Sequence, residues 1–366
     1  MTELKDIAYL EMAYGLAEKA RGWASPNPYV GAVVVRRDAI IGFGYHERPG
    51  RPHAEAIALE RAGRAAGGST LYITLEPCVH WGRTPPCADA VLKARPRRVV
   101  VSSLDPNPLV FRKGIRKLRA AGIAVSVGLL QQRNITLNES YIKHITRGIP
   151  FVTLKAALSL DGRMATRARD SRWISSALTR DYVHLLRGEQ DAIMVGIQTI
   201  LSDDPLLTVR HPQWAGKKAV RVILDSRLRL PLRARILSSL SEGGIIVFTA
   251  AGTPSRKRDF LEKRGVEVVD IPAAARSVDI AAVLAHLGGR GITSLLVEGG
   301  SRLLTTMIEG RFADKLFLTL SPRLIGGAAA PSLLEGEGVL RVRDSWAIRH
   351  LTTFTIGEDI VIEGYL

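Results

Sequence analysis

Cysteine is almost missing from this chain: of 366 residues only Cys78 and Cys87 carry thiols, and both fall in one stretch, TLEPCVHWGRTPPC. Two cysteines exclude a disulfide framework. The opening residues, MTELKDIAYLEMAYGLAEKARG, hold no apolar run of the kind a secretion signal needs, so a reducing cytoplasm is the expected compartment. No apolar stretch approaches the roughly 18 residues of a membrane span, and no membrane partner is expected. There is no low-complexity tract, no short-period repeat and no G-x-G-x-x-G fingerprint, which leaves a Rossmann domain without support. Acidic residues are scarce beside basic ones, 35 against 51, for a formal net charge of +16. The basic residues form no dense tract interleaved with aromatics, so the charge is expected to serve phosphorylated small molecules and not a nucleic-acid strand.

What is present is an ordinary globular composition, 46% hydrophobic, in a chain long enough for about two domains. Apolar runs at GAVVV, STLYITL, RRVVVSS and GIAVSVG read as buried strands, with helical patterns such as HAEAIALERAGRAA and CADAVLKAR between them. That is an α/β layout. A second series follows RGIP: PFVTLKAALS, DAIMVG, KAVRVILD, GIIVFTA, VEVVDI and GITSLLVEGG, closed by a hairpin pattern in LTTFTIGEDIVIEGYL. The expected domains are 1–147 and 148–366, since RGIP joins a helix stop to a new apolar run.

The chemistry begins where the thiols are. His53 follows a proline at the start of a helical pattern, Cys78 sits where a strand gives way to a loop, and Cys87 opens the next helix. One imidazole and two thiolates suit a tetrahedral zinc whose fourth position is open to water. Glu55 need not ligate and can carry protons, which is the logic of a zinc deaminase. Each feature alone has an ordinary reading, a solvated first helical turn or a buried small hydrophobe. In the order HAE, PC, C they point to a metal site. The cysteines of the common deaminase signature are two residues apart; here VHWGRTPP lies between them and reads as an added substrate-facing loop.

These residues carry a resemblance. SPNPYVGAVVV, GYHERPGRPHAEAIAL, TLEPCVHWGRTPPC and LDPNPLV look like the deaminase half of the bifunctional riboflavin-biosynthesis deaminase/reductase family. TLKAALSLDGRMA, DSRWISS, DAIMVGIQTILSDDPLLTVR, VRVILDS, LLVEGGSRL and SPRLIGG look like its reductase half, in the expected order. The resemblance implies an α/β chain: a cytidine-deaminase-like zinc domain, then a domain like dihydrofolate reductase. It implies deamination of a phosphoribosylamino-diaminopyrimidinone, then NADPH-dependent reduction of its ribosyl part to ribityl. By the same resemblance His53, Cys78 and Cys87 would bind zinc and Glu55 would shuttle the proton. Asn27 and His46 would hold the pyrimidine, Arg83 would meet its phosphate, and Asp105 and Asn107 would support the site's edge. A homo-oligomer is expected.

For the reductase half, two glycines between a strand and a helix in LLVEGGSRLLTTM make a fitting phosphate cradle. The resemblance makes Gly300, Ser301, Arg302, Leu303, Leu304, Thr305 and Thr306 cofactor contacts, with Ala157, Trp173, Thr199, Asp203 and Ser226. Lys155, Ser171, Arg187, Leu207, Arg210 and Glu298 become substrate contacts, with Arg187 and Arg210 as phosphate clamps. The chain departs from the family at Val79 and Trp81, and at Phe111 and Arg112, where relatives carry a small residue and then glycine. If that glycine has positive φ, Arg112 strains the turn. Two other readings share the motifs: a nucleic-acid deaminase, and the same fold acting on a related pyrimidine in a pteridine-like pathway. A non-catalytic scaffold is the remaining class, and the intact ligand set argues against it.

Overall fold

Alternation along GAVVVR sends Ala32 and Val34 to one side of a strand and Val33 and Val35 to the other, and both sides are buried. A strand covered on both faces reads as a continuous apolar run, which is why the buried strands stand out in the sequence. The computed structural model describes residues 2–252, 256–274 and 277–366. It divides into two compact units, Met1–Gly148 and Ile149–Leu366, at a glycine whose φ of +71° ends the preceding helix.

In the first unit α1 (Thr2–Ala17) leads into a five-stranded sheet of β1 (Gly31–Arg36), β2 (Ala39–Tyr45), β3 (Thr70–Leu75), β4 (Arg98–Ser103) and β5 (Ala124–Val127). The spatial order is β2-β1-β3-β4-β5, with β1 antiparallel to both neighbours and β3, β4 and β5 parallel. Leu10 and Ala13 of α1 pack on one face with Val33, Val35, Tyr72 and Val100. On the other face lie α2 (Ala54–Ala62), α3 (Cys87–Ala94) and α4 (Lys113–Ala120), which supply Ala58, Leu59, Val91, Ile115 and Leu118 to the larger core. Helices α5 (Gln131–Leu137) and α6 (Glu139–Arg147) finish the unit.

The second unit is built on a nine-stranded sheet. Its elements are β6 (Phe151–Ser159), α7 (Ala177–Glu189), β7 (Ala192–Gly196), α8 (Ile197–Asp203), β8 (Val220–Leu224), β9 (Ile245–Ala250), α9 (Arg256–Lys263) and β10 (Val266–Ile271). A two-residue pair, β11 (Ala273–Ala274) and β12 (Ser277–Val278), precedes α10 (Ile280–Gly289), β13 (Ser294–Val297), α11 (Ser301–Glu309), β14 (Lys315–Ser321), β15 (Arg349–Ile356) and β16 (Asp359–Tyr365). The order is β10-β9-β8-β7-β13-β6-β14-β16-β15. From β10 to β14 the strands are parallel, and the terminal hairpin joins antiparallel. Ala192 and Met194 face a core with α10 and α11, whereas Ile193 and Val195 face another with Ile197, Ile200 and Leu261. Strands β2 and β14 lie outside the runs named from the sequence.

Two glycines of β2 set where α2 begins. A methyl at Gly42 would fall 2.1 Å from the Ala58 carbonyl oxygen, and one at Gly44 would fall 2.7 Å from Ile57 Cβ. The helix lies directly on the strand backbone at these points, and its first turn carries Glu55. Gly42→Ala should therefore lower stability by about 1–3 kcal/mol, the usual cost of forcing atoms into a packed interior. The urea midpoint of the full chain measures it, and an unchanged midpoint would mean that α2 can lift away freely.

Candidate functional site

In the first unit two helix starts and one strand exit meet. His53 is the residue before α2, Glu55 lies in that helix's first turn, Cys78 follows β3, and Cys87 is the first residue of α3. His53 occupies the N-cap position without capping the helix through its side chain. Its ring faces sulfur instead: Nδ1 is 3.1 Å from Cys87 Sγ and 3.6 Å from Cys78 Sγ. The three ligand atoms lie within 4.8 Å of one another. Zn–S bonds near 2.3 Å and a Zn–N bond near 2.0 Å in a tetrahedron require ligand–ligand edges of about 3.5–3.8 Å. The donor set fits zinc in kind and spacing.

The electrostatics point the same way. The Cys78 thiol is pulled down to about 4, first by its hydrogen bond with Cys87, then by His53, against the effect of burial. The backbone N–H of Cys87 also donates to Cys78 Sγ at 3.3 Å, as the start of α3 favours a thiolate. Cys87 moves the other way, well above the ordinary thiol range, because Cys78, burial and Glu55 all oppose a second anion. Glu55 is 4% exposed and is pushed up to about 7, chiefly by burial and next by Cys78. His53 is raised by its bond to Cys78. One anion settles there readily; the second calls for a cation.

Around this centre the sequence-named residues fall as follows. His46 is 3% exposed, and burial lowers its pKa, so its ring is neutral. Nδ1–H then donates to the Pro52 carbonyl at 3.2 Å, and Nε2 accepts Asn27 Nδ2–H at 2.9 Å. The His46 and His53 rings meet edge to face at 5.0 Å. Asp105 is buried and raised to about 6, mainly by that burial, while it accepts from Tyr141 OH and Asn107 N, each at 2.9 Å. Asn107 Oδ1 accepts from Leu109 N, so that side chain also serves its own loop. Arg83 and Trp81 are exposed in the loop between the cysteines. Arg112 has φ +59°, the left-handed conformation in which a side chain is strained, with its guanidinium 5.2 Å from the Phe111 ring.

Two residues outside the sequence reading take part. Thr84 Oγ1 lies 3.2 Å from His53 Nε2 and can accept its N–H, fixing the tautomer that turns Nδ1 to the sulfurs. Thus the long loop between the cysteines folds back to brace the histidine as well as reaching outward. The other is Glu76, two residues before Cys78 and 3% exposed. An acid closing the apolar run TLYITL was the available signal.

In the second unit the parallel strands bring their carboxyl ends to one edge of the sheet. The chain leaves β7 toward β8 and leaves β13 toward β14, on opposite sides, so β7 and β13 flank a topological switch point. Ligands of open α/β sheets bind at such crevices. Glu298 and the two glycines follow β13, Thr199 and Asp203 lie on α8 after β7, Ser226 follows β8, and Lys155 and Ala157 lie on β6. Ser171 and Trp173 precede α7, with Trp173 62% exposed beneath the Arg180 guanidinium at 4.4 Å. Leu207 is buried with φ +54°.

Arg187 is paired within the unit. Its Nε and Nη2 donate to the two oxygens of Glu298 at 2.5 and 3.0 Å, and Nη1 donates to the Thr208 carbonyl. The guanidinium holds a carboxylate, and Arg210, the other arginine named as a phosphate clamp, is exposed. Burial alone would raise Glu298, but Arg187 and Lys155 outweigh it and the carboxyl ends below its usual range. Lys155 is lowered by burial and by Arg187. Along Gly300 to Thr306 the Leu304 side chain lies in the core, Thr305 Oγ1 accepts from Glu335 N, Thr306 Oγ1 donates to the Arg302 carbonyl, and Ser301 donates to the Ser332 carbonyl. What this turn offers a phosphate is the backbone N–H groups of its first residues.

Residues 150–362 match the family described as the RibD C-terminal domain, and residues 4–103 match the cytidine and deoxycytidylate deaminase zinc-binding region. The chain is 42% identical to the riboflavin biosynthesis protein RibD of Aquifex aeolicus, over 98% of this chain and 97% of that one. It superposes on RibD of Acinetobacter baumannii with a TM-score of 0.88 at 33% identity, covering 100% of this chain and 99% of the other. A diaminohydroxyphosphoribosylaminopyrimidine deaminase/5-amino-6-(5-phosphoribosylamino)uracil reductase of Thermotoga maritima gives 0.87 at 33% identity, with the same coverage. These likenesses span both units, and they give the first a cytidine-deaminase-like fold and the second a fold like dihydrofolate reductase.

His184 supplies a test of the second unit's electrostatics. Its Nε2 lies 3.2 Å from Arg210 Nη2, and burial, then Arg187 and Arg210, push it down to about 4 from 6.5. Between those values the unfolded chain binds a proton that the folded chain refuses, so stability falls as pH drops from 6.5 toward 4. In His184→Gln that part of the decline should vanish. Chemical denaturation across this pH range reads it, and parallel curves for the two proteins would refute the neutral-histidine reading.

Proposed function

The chain belongs to the bifunctional riboflavin-biosynthesis deaminase/reductase family, and from that premise we propose which of its residues carry each reaction. It hydrolyses the 2-amino group of 2,5-diamino-6-(5-phosphoribosylamino)pyrimidin-4-one, then uses NADPH to give 5-amino-6-(5-phosphoribitylamino)uracil. The cofactors are zinc and NADPH. The nucleic-acid and pteridine-like alternatives are not favoured, because near full-length relatives carry both halves together.

In this proposal residues 1–147 form the deaminase and 148–366 the reductase. His53, Cys78 and Cys87 hold zinc, which when bound supplies a hydrolytic nucleophile at neutral pH. Glu55, buried beside the ligands and outside the ligand set, takes a proton at its carboxylate and returns it to the departing amine. His46 binds the Asn27 amide nitrogen, so the amide oxygen is the group that meets a ring N–H of the pyrimidine. Arg83, on the exposed loop, meets the substrate phosphate. Asp105 and Asn107 keep the loop at the edge of the site in shape. The observation that carries the reading is His53 Nδ1 within 3.1 and 3.6 Å of two sulfurs, with Glu55 buried in the first turn of the helix that His53 precedes.

For reduction, the backbone at Gly300, Ser301 and Arg302 binds the cofactor's phosphates, while Ala157, Trp173, Thr199, Asp203 and Ser226 line its course along the strand ends. NADPH supplies the hydride. Lys155 and Glu298, held by Arg187, orient the sugar end of the substrate, and Ser171, Leu207 and Arg210 receive the rest, with Arg210 on its phosphate. Both steps handle phosphorylated metabolites, which accounts for the basic composition without a nucleic-acid partner. Thiol ligands suit a reducing cytoplasm, and a homo-oligomer is the expected assembly.

Incubation with the diaminopyrimidinone phosphate, with and without NADPH, followed by mass analysis, tests the two steps in order. Glu55→Gln should keep stoichiometric zinc and lose deamination by roughly 10²–10⁴-fold or more, because one carboxylate acts as both base and acid. Cys87→Ser should lose the metal. Wild-type deamination in the first variant, or wild-type zinc in the second, would sink the corresponding role.

A further inference from the structure

Helix α4 starts without a cap of its own. The residue at its N-cap, Arg112, makes no side-chain capping bond. A carboxylate arrives from the sheet instead: Glu76 Oε2 accepts Arg112 N at 2.9 Å and Asp105 N at 3.4 Å, and Oε1 accepts Ile115 N at 3.1 Å. Glu76 is itself fixed to β4 by its backbone N–H, which donates to the Ser103 carbonyl at 2.9 Å. Gly114 makes the approach possible, since a methyl there would lie 2.2 Å from the Pro77 carbonyl oxygen and 3.3 Å from Glu76 Oε1. Arg112, at φ +59°, keeps its left-handed backbone with its N–H held by that carboxylate.

We infer that Glu76 is a positioning residue for the metal centre: it caps α4 from the neighbouring strand and so locks the 105–115 loop to the segment that delivers Cys78. An anion at a helix start, bonded to free N–H groups and sealed from water, is a strong and directional tie. On one side it restrains Pro77 and Cys78; on the other it restrains Asp105 and the loop carrying Asn107. It also explains how the chain keeps an arginine in the left-handed conformation at this turn. The bond to Glu76 holds a conformation that glycine would adopt unaided.

The inference rests on the ligand reading above, and the test separates the two. In the full zinc-loaded chain, Glu76→Gln would turn an amide NH₂ toward a backbone N–H and leave a buried donor unsatisfied. Glu76→Asp keeps the charge but falls short of one partner. Both should release zinc to a colorimetric chelator about 10–100-fold faster, the range for losing an outer support of a metal ligand. Amide exchange at Arg112 and Ile115 should accelerate locally, and the deaminase KM should rise while kcat of the loaded enzyme stays near wild type. Adding Arg112→Gly to Glu76→Gln should restore part of the zinc retention, and the same change in the wild type should do little. Wild-type zinc release in Glu76→Asp would overturn the inference, as would faster exchange spread evenly over the first unit with no rescue by glycine. If Glu76→Gln does not fold, the aspartate variant decides by the same readouts. Zinc retained in Cys78→Ser would instead overturn the ligand reading, leaving the cap on α4 to be judged by exchange at Arg112 and Ile115.

Discussion

Three potential anions, Cys78, Cys87 and Glu55, share one nearly dry corner of the first unit, and the rest of that unit is arranged around the need to neutralise them. Without a cation the groups divide unequally: one thiol ionises easily and the other is held protonated by its neighbour. A dication removes the conflict, and the starts of α2 and α3 add partial positive charge from the backbone. The surrounding structure follows from keeping those starts in place. Glycines in β2 let α2 lie on the strand, Gly114 lets the Pro77 carbonyl approach α4, and Thr84 and Glu76 tie down the imidazole and the cysteine segment.

The second unit solves a related problem with side chains. Glu298 at the switch point would be unwelcome as a buried charge, and it stays ionised because Arg187 grips both oxygens and Lys155 stands near. The two units thus differ in how a buried carboxylate is satisfied. Glu76 uses backbone N–H groups at a helix start, which fixes chain geometry, whereas Glu298 uses guanidinium and ammonium groups, which leaves a charged cluster facing the crevice. Backbone satisfaction suits a support; side-chain satisfaction suits a site that must meet a polar substrate.

Much of the architecture was legible because strands appear as apolar runs, most clearly where both faces are buried, and ten such runs were readable along the chain, the edge strands β5 and β10 among them. Strand β2 was not among them: in AIIGFGY the glycines that admit α2 resemble turn residues. The His53, Cys78 and Cys87 cluster was legible because the chain has no other cysteines and their order around HAE is distinctive. Thr84 and Glu76 were not, since their roles depend on bonds to groups 31 to 39 residues away. The pairing of Arg187 with Glu298 was hidden for the same reason. Nothing local to Arg187 announces a carboxylate partner 111 residues later.

The order of strands also sets the order of synthesis in which each unit can complete itself. The first sheet is closed by residue 127, and every candidate metal ligand lies before it. The second sheet has its centre filled late: β13 enters between β7 and β6 only after β8, β9 and β10 have been made on the far side of β7. Until residues 294–297 leave the ribosome, β6 and β7 lack the strand that separates them, with their flanks open to wrong partners. The ligands of the first unit thus lie wholly in chain made before the second sheet begins, and that sheet's centre depends on contacts distant in sequence.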